Sequence, residues 1–237
     1  MQVKTKAIVI STLRYQEKSL IVKCFTESDG LKSYFIRDAF SSRKASQKIA
    51  YFQPLNILEV EATHKNKGTL EYLKEVKLAI PYYSITTDIT KTTIAIFVSE
   101  MLHHSIKEEE KNQNLYSFLE TALLWLDSHA EVANFHLILL LEVTKFLGFY
   151  PESSANSYPF FEMIEGVFIP FETTSCLTAD ETVLVKKLMA LKFDNSGKAF
   201  HVSERQALLK ILLDYYSFHL DGFRKPNSLA VLKEVFQ

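Results

Sequence analysis

The sequence predicts an α+β protein of two domains, with a five-stranded barrel over residues 1–80 and an all-helical domain over residues 81–237. Apolar residues recur with the period of two that is typical of strands up to Ile80, and past Pro81 they recur with a helical period. The charge changes at the same place: residues 1–80 carry 14 Lys and Arg against 8 Asp and Glu, whereas residues 81–237 carry 13 against 20. Halves of opposite sign indicate domains with different partners.

Five strands account for the first domain. They are expected in the segments VKTKAIVISTLRY, SLIVKCFTES, LKSYFIRDAF, PLNILEVEAT and TLEYLKEVKLAI. The pair Asp29-Gly30 is typical of a tight turn, and the segment after the third strand loses the period of two, so we expect an irregular or briefly helical insert there. This outline is that of an oligonucleotide/oligosaccharide-binding barrel, the OB-fold, and a small SH3-like barrel is the alternative.

Helical segments make up the second domain. Residues 92–106 and 115–129 each place apolar side chains on one face, and residues 135–149 are apolar nearly all round, which predicts a central helix that Gly148 closes. Residues 152–176 are expected to be irregular, with a short hairpin near Gly166. Capping-box patterns predict two further helix starts, at Thr178 with Glu181 and at Ser203 with Gln206, and a last helix near Ser228.

Catalytic motifs are absent from the sequence. It contains no HExxH, GxSxG, Walker loop or GxGxxG, and six glycines leave little room for phosphate-binding loops. His103 and His104 would point about 100° apart on a helix, and Cys24 and Cys176 lack the spacing of metal ligands. We therefore expect neither an enzyme nor a metal or other cofactor, and an unrecognised hydrolase is the alternative.

Two distant cysteines indicate a reducing compartment. The N-terminal apolar patch is only four residues long, too short for a signal peptide, and no apolar run approaches the length of a membrane span. A cytoplasmic protein with no membrane partner is expected.

Cations concentrate in the first 48 residues, where only four carboxylates offset them, as expected of a surface that neutralises phosphates. The candidate nucleic-acid contacts are Arg14, Lys18, Lys23, Lys32, Arg37, Arg43, Lys44 and Lys48. Aromatic residues interleave with them, and Tyr15, Tyr34 and Phe40 are candidates for stacking on unpaired bases. In the alternative interpretation these aromatics form the core and the lysines only solvate the barrel. A separate alternative for the function is an adaptor whose barrel binds protein.

Several segments together resemble the RecO family of bacterial recombination mediators. They are KTKAIVISTLRYQEKSLIVKCFTESDGLKSYFIRDA, the Ser/Arg/Lys stretch leading to FQPLNILEVE, FLGFYP, and LLDYYSFHL followed by SLAVL. The resemblance extends over nearly the whole chain in the same domain order. It implies an OB domain joined to a helical domain in a cytoplasmic, nucleoid-associated protein.

The resemblance also implies a function and partners. These are binding to single- and double-stranded DNA, annealing of complementary strands, and work with RecR and RecF in loading RecA onto DNA coated by single-strand-binding protein (SSB). DNA contacts are implied after the third strand at Arg37, Arg43, Lys44 and Lys48, although Asp38 and Phe40 replace the glycine and the cation expected of the family.

Two further expectations rest on the resemblance. Many relatives carry a four-cysteine zinc module after the LG-x-x-P segment, and because only Cys176 follows that segment here, a metal-free loop is expected. The helical domain of the family receives the acidic, Phe-ending C-terminal tail of SSB, for which Lys145, Phe146 and Phe149 are the candidates in this chain.

Overall fold

The computed structural model describes residues 1–42, 48–65, 70–107, 110–195 and 199–236. Its strands are β1 (Gln2–Tyr15), β2 (Ser19–Thr26), β3 (Gly30–Ile36), β4 (Ile57–Thr63), β5 (Glu71–Ile80), β6 (Phe160–Glu162) and β7 (Val167–Ile169). Its helices are α1 (Ile89–Ser105), α2 (Gln113–Ser128), α3 (Phe135–Leu147), α4 (Ala179–Met189), α5 (Val202–His219) and α6 (Leu229–Val235), with 3-10 turns at Ala50–Phe52 and Phe193–Asn195. These elements confirm the predicted fold class, and the hairpin β6–β7 interrupts the helical part where a hairpin was expected.

Strands β1 to β5 form a closed barrel in the order β1-β2-β3-β5-β4. β1 is long enough to pair with β4 through its first half and with β2 through its second half. A register shift between Val9 and Ser11 bends β1 where its two paired halves meet. β3 and β5 run parallel and pair at only two positions, Tyr34 with Glu71 and Phe35 with Tyr72. This short contact closes the OB barrel but leaves a gap beyond Tyr72.

Alternate residues of the barrel strands face inwards and form its core. Val9, Val22, Cys24, Tyr34 and Val60 are among the side chains that are almost completely buried there. Because Cys24 lies in this apolar interior, burial raises the pKa of its thiol. Cys24 is therefore an inert packing residue.

Contacts divide the chain into two compact units, Met1–Ser128 and His129–Gln237. The first unit contains the barrel together with α1 and α2. α1 packs on β1, where the Ser99 hydroxyl donates a hydrogen bond to the carbonyl of Ile10. Asp127 at the end of α2 accepts hydrogen bonds from the backbone of residues 83–85, which fixes the segment after β5.

The second unit is built around α3, nine of whose residues are buried. α3 ends at Gly148, as the sequence predicts, and this residue has the left-handed conformation with φ +84°. The capping box of Thr178 and Glu181 at α4 is confirmed. The predicted start of the next helix was wrong: α5 begins at Val202, because Glu204 accepts a hydrogen bond from the His201 N–H, and Ser203 and Gln206 lie inside the helix.

No helix in the described ranges is both long enough and apolar enough to cross a membrane.

Candidate nucleic-acid interface

A groove crosses the barrel surface where β3 ends. One part, with a volume of about 490 Å³, lies in the gap between β3 and β5, and a second part of about 600 Å³ lies beside the β1–β2 turn. Phe35, Arg37 and Asp38 line both parts, so the two meet at the end of β3. Asp38 has φ +52°, in the left-handed region that favours glycine, and it lies in the turn that follows β3. The groove therefore lies where β3 ends.

Four of the described cations line this groove. Lys18 lies beside the β1–β2 turn, Arg37 at the junction of the two parts, and Lys48 and Lys74 in the gap; all four are exposed. Three carboxylates lie among them, so the described lining is only weakly positive: Glu17, Asp38 and Glu75. The sequence prediction had included Lys18, Arg37 and Lys48 but had missed Lys74, whose position depends on the pairing of β5. Arg43 and Lys44 lie outside the described residues.

The other predicted cations do not line the groove. The Arg14 guanidinium donates to the carbonyl of Glu17 and lies 4.6 Å from the centre of the Phe40 ring, so it stabilises the β1–β2 turn. Lys23 is half-buried on β2. Lys32 is only 7% exposed, because it shares the inward face of β3 with Tyr34. The prediction that Lys32 contacts phosphate is therefore withdrawn.

Three aromatic rings lie side by side on the outer surface of β1, β3 and β5. The Phe35 ring lies edge-on to Tyr15, with centroids 6.0 Å apart, and edge-on to Tyr72, with centroids 6.3 Å apart. Tyr15 and Tyr72 are 43% and 50% exposed. We call Tyr15, Phe35 and Tyr72 the aromatic strip. The sequence prediction had included Tyr15 but not the other two, although the strand alternation of Tyr34 and Phe35 requires one of them to face outwards.

Tyr34 is the ring that faces inwards, and it is completely buried. Its hydroxyl lies 2.8 Å from His64 Nε2, and His64 Nδ1 lies 2.9 Å from Asp29 Oδ2. Because a carboxylate only accepts hydrogen bonds, His64 donates through Nδ1 and can accept from Tyr34 through Nε2. Burial raises the pKa of Tyr34. A buried ring cannot stack on a base, so Tyr34 is withdrawn from the stacking candidates.

This buried cluster also fixes the β2–β3 turn to the end of β4. Burial by itself would raise the pKa of Asp29, but hydrogen bonds from Ser28 and His64 and the charge of Lys32 lower it. The third stacking candidate, Phe40, is half-buried and has the Arg14 guanidinium over its ring. Of the three predicted stacking residues, Tyr15 alone belongs to the aromatic strip.

Near the end of α3, the predicted tail-binding residues are engaged within the helical unit. The Lys145 ammonium pairs with Glu142 and lies 4.5 Å from the centre of the Tyr150 ring. Phe149 stacks on the His219 ring at 5.0 Å, and Phe146 is half-buried. A small apolar groove that the sequence prediction had missed lies between α3, α5 and α6, and its lining includes Arg205 and Lys233.

The segment after α3 contains the second cysteine. The Thr173 N–H donates a hydrogen bond to Cys176 Sγ at 2.9 Å. Throughout the described ranges, no cluster of three His, Cys, Asp or Glu side chains is arranged to hold a metal ion. Cys176 therefore acts here as a hydrogen-bonding partner within its own turn.

Comparisons with known proteins cover the whole chain. The family model described as Recombination protein O N terminal matches residues 1–82, and the model described as Recombination protein O C terminal matches residues 86–229. Proteins named DNA repair protein RecO from Flavobacterium psychrophilum and Flavobacterium johnsoniae are 70% and 69% identical, each over the full length of both chains. The protein of that name from Bacteroides fragilis is 35% identical over 98% of both chains. With its OB barrel and helical C-terminal part, the chain belongs to the RecO family.

Proposed function

We propose that this protein is a non-enzymatic recombination mediator in DNA repair that binds DNA strands in the barrel groove. The observation that carries the proposal is the continuous groove at the end of β3, with Lys18, Arg37, Lys48 and Lys74 exposed along it. Cations in this arrangement neutralise successive phosphates and release counterions. The name of the full-length relatives, DNA repair protein RecO, supports a role in repair.

The groove suits a protein that holds strands temporarily. Among the described lining residues, three carboxylates offset much of the cationic charge, so electrostatic attraction brings a strand in without making its release slow. A strand held by its phosphates keeps base edges available for pairing with a second strand. These properties support annealing of complementary strands, because the mediator contributes proximity and no covalent step.

The proposed mediator also works with protein partners. Family membership supports work with RecR, and indirectly with RecF and RecA, on single strands coated by SSB. The acidic, Phe-ending tail of SSB needs an apolar surface with cations. Lys145, Phe146 and Phe149 remain one candidate surface, and the groove between α3, α5 and α6, with Arg205 and Lys233 in its lining, is a second.

The test is the salt dependence of single-strand binding. Replacement of Arg37, Lys48 and Lys74 by Gln removes three phosphate contacts, so the log–log salt slope should become shallower by about 2, and affinity at 0.1 M salt should fall by about 100-fold. The control replaces Lys111, Lys192 and Lys210, which are exposed and outside the groove, by Gln. It makes the same change in net charge and should leave the slope unchanged.

Equal effects of the two triple variants would refute the groove as the binding site. Strand annealing on SSB-coated DNA then tests the mediator role, which requires the groove variant to anneal more slowly than the control. The alternative is an adaptor whose barrel binds protein. It would be supported if the chain captured RecR or the SSB tail but bound no DNA at low salt.

A further inference from the structure

We propose that the aromatic strip makes the groove selective for unpaired bases, so that the protein holds a single strand and releases it once the strand has paired. This inference rests on the proposed DNA-binding function and adds a residue-level cause of selectivity. Tyr15, Phe35 and Tyr72 come from three strands of the barrel, yet their rings are in contact as one row. The row is long enough for successive bases to stack on different rings.

The position of the strip connects it to the cations. Phe35 lines both parts of the groove and Tyr72 lines the gap between β3 and β5, so a strand that follows Lys18, Arg37 and Lys74 passes over these rings. Lys65 places a further ammonium 5.7 Å from the centre of the Tyr72 ring. Phosphate contacts and ring contacts can therefore act on the same few nucleotides.

A packing role does not account for the strip. Phe35 and Tyr72 face the outer surface, because the neighbouring register pair, Tyr34 with Glu71, occupies the inner one. Tyr15 and Tyr72 leave about half of their surface in water. A row of partly exposed rings beside a cationic groove has the chemistry of a platform for single-stranded nucleic acid, where bases stack on aromatic faces.

Among the described residues the groove lining is close to neutral, so the rings supply the selectivity for a single strand. The described groove lining has four cations and three carboxylates, so phosphate attraction alone distinguishes poorly between a strand and a duplex. Stacking requires an exposed base face, and within a duplex both faces of each base are covered by neighbouring pairs. Pairing therefore removes the ring contacts and leaves only the cations, which favours release of the annealed product.

The experiment measures the affinity of the full chain for a single strand and for a duplex of the same length. The double variant Tyr15→Ala and Tyr72→Ala should lose about 100-fold in single-strand affinity, at about tenfold for each ring removed, and less than threefold in duplex affinity. Tyr15→Phe with Tyr72→Phe keeps the rings and should retain the selectivity. Tyr83→Ala, at a side chain that is 93% exposed and outside the groove, is the matched control and should change neither affinity.

The affinities measured for strand and duplex test base selectivity separately from DNA binding. If the double Ala variant, with unchanged unfolding monitored by Trp125 fluorescence, lost equal affinity for strand and duplex, the strip would not determine selectivity although the groove would still bind DNA. A native chain that bound neither form would overturn both. Loss of selectivity in the double Phe variant would also contradict the inference, because stacking needs the rings and not their hydroxyl groups.

Discussion

Asp127 offers the sharpest test of how the first unit is held together. Its Oδ1 accepts hydrogen bonds from the N–H groups of Ser84 and Ile85 at 2.8 and 3.0 Å, and its Oδ2 accepts one from Tyr83 at 2.8 Å. Asp127→Ala removes both acceptor oxygens and with them all three backbone hydrogen bonds. Hydrogen bonds to a charged group contribute about 1.5–3 kcal/mol each, and these three are exposed or only partly buried. We therefore expect the free energy of unfolding to fall by about 3 kcal/mol in total.

The Asp127→Asn variant should lose only part of this stability. An amide keeps one oxygen, which can still accept from Ser84 and Ile85, but it turns an NH₂ group towards the N–H of Tyr83. The loss should therefore be about half that of the Ala variant. Burial by itself would raise the pKa of Asp127, but the three backbone hydrogen bonds lower it below the ordinary carboxyl value. The advantage of Asp over Asn is therefore complete above about pH 4 and shrinks as the pH falls below it.

The assay is urea unfolding followed by fluorescence. Trp125, the one tryptophan of the chain, lies in α2 two residues from Asp127 and reports on this unit. Substitution of the exposed Glu110 by Ala should change the free energy of unfolding by less than about 0.5 kcal/mol and serves as the surface control. If Asp127→Ala changed it no more than Glu110→Ala, or if the advantage of Asp over Asn did not depend on pH, the reasoning would be refuted.

Two further predictions concern packing. Gly166→Ala should lower the free energy of unfolding more than Gly148→Ala does, as measured by urea unfolding followed by circular dichroism. Both glycines have positive φ, which costs about 1 kcal/mol for Ala. At Gly166 the added Cβ would also clash with the Tyr215 hydroxyl, at a cost of about 1–3 kcal/mol more. Equal losses of stability in the two variants would show that the Tyr215 side chain moves aside at no cost, which would contradict the predicted clash. Tyr34→Phe should destabilise the barrel by about 1–2 kcal/mol in Trp125-detected unfolding, because it leaves His64 Nε2 buried without the hydroxyl, and an unchanged midpoint would contradict that role.

The outcome at the groove illustrates what a strand pattern can predict. Composition and spacing identified a basic barrel and three of the four described cations in the groove, because charged side chains near a turn must remain solvated. They could not assign the two faces of β3. Lys32 and Tyr34 share one face and Phe35 lies on the other, and both faces carry aromatic residues. Only the pairing of β3 with β5 decides which face points inwards.

Lys74 and Tyr72 were missed for a related reason. They lie 26 and 24 residues after Lys48, the last cation of the basic segment. They reach the groove because β5 pairs in parallel with β3. No local periodicity records such a long-range contact. The predicted start of α5 was wrong by a few residues. Two capping patterns overlap there, and the structure forms the one between His201 and Glu204.

By itself the sequence determined the order of strands and helices, the end of α3 at Gly148 and the basic character of the barrel, because periodicity, glycine content and charge are local properties. The tertiary structure alone decided that β3 ends early, that a groove opens beside it, and that Tyr15, Phe35 and Tyr72 meet on its rim. These features depend on strand register, in which a shift of one residue exchanges the inner and outer faces of a strand. Register is set by contacts between distant segments of the chain.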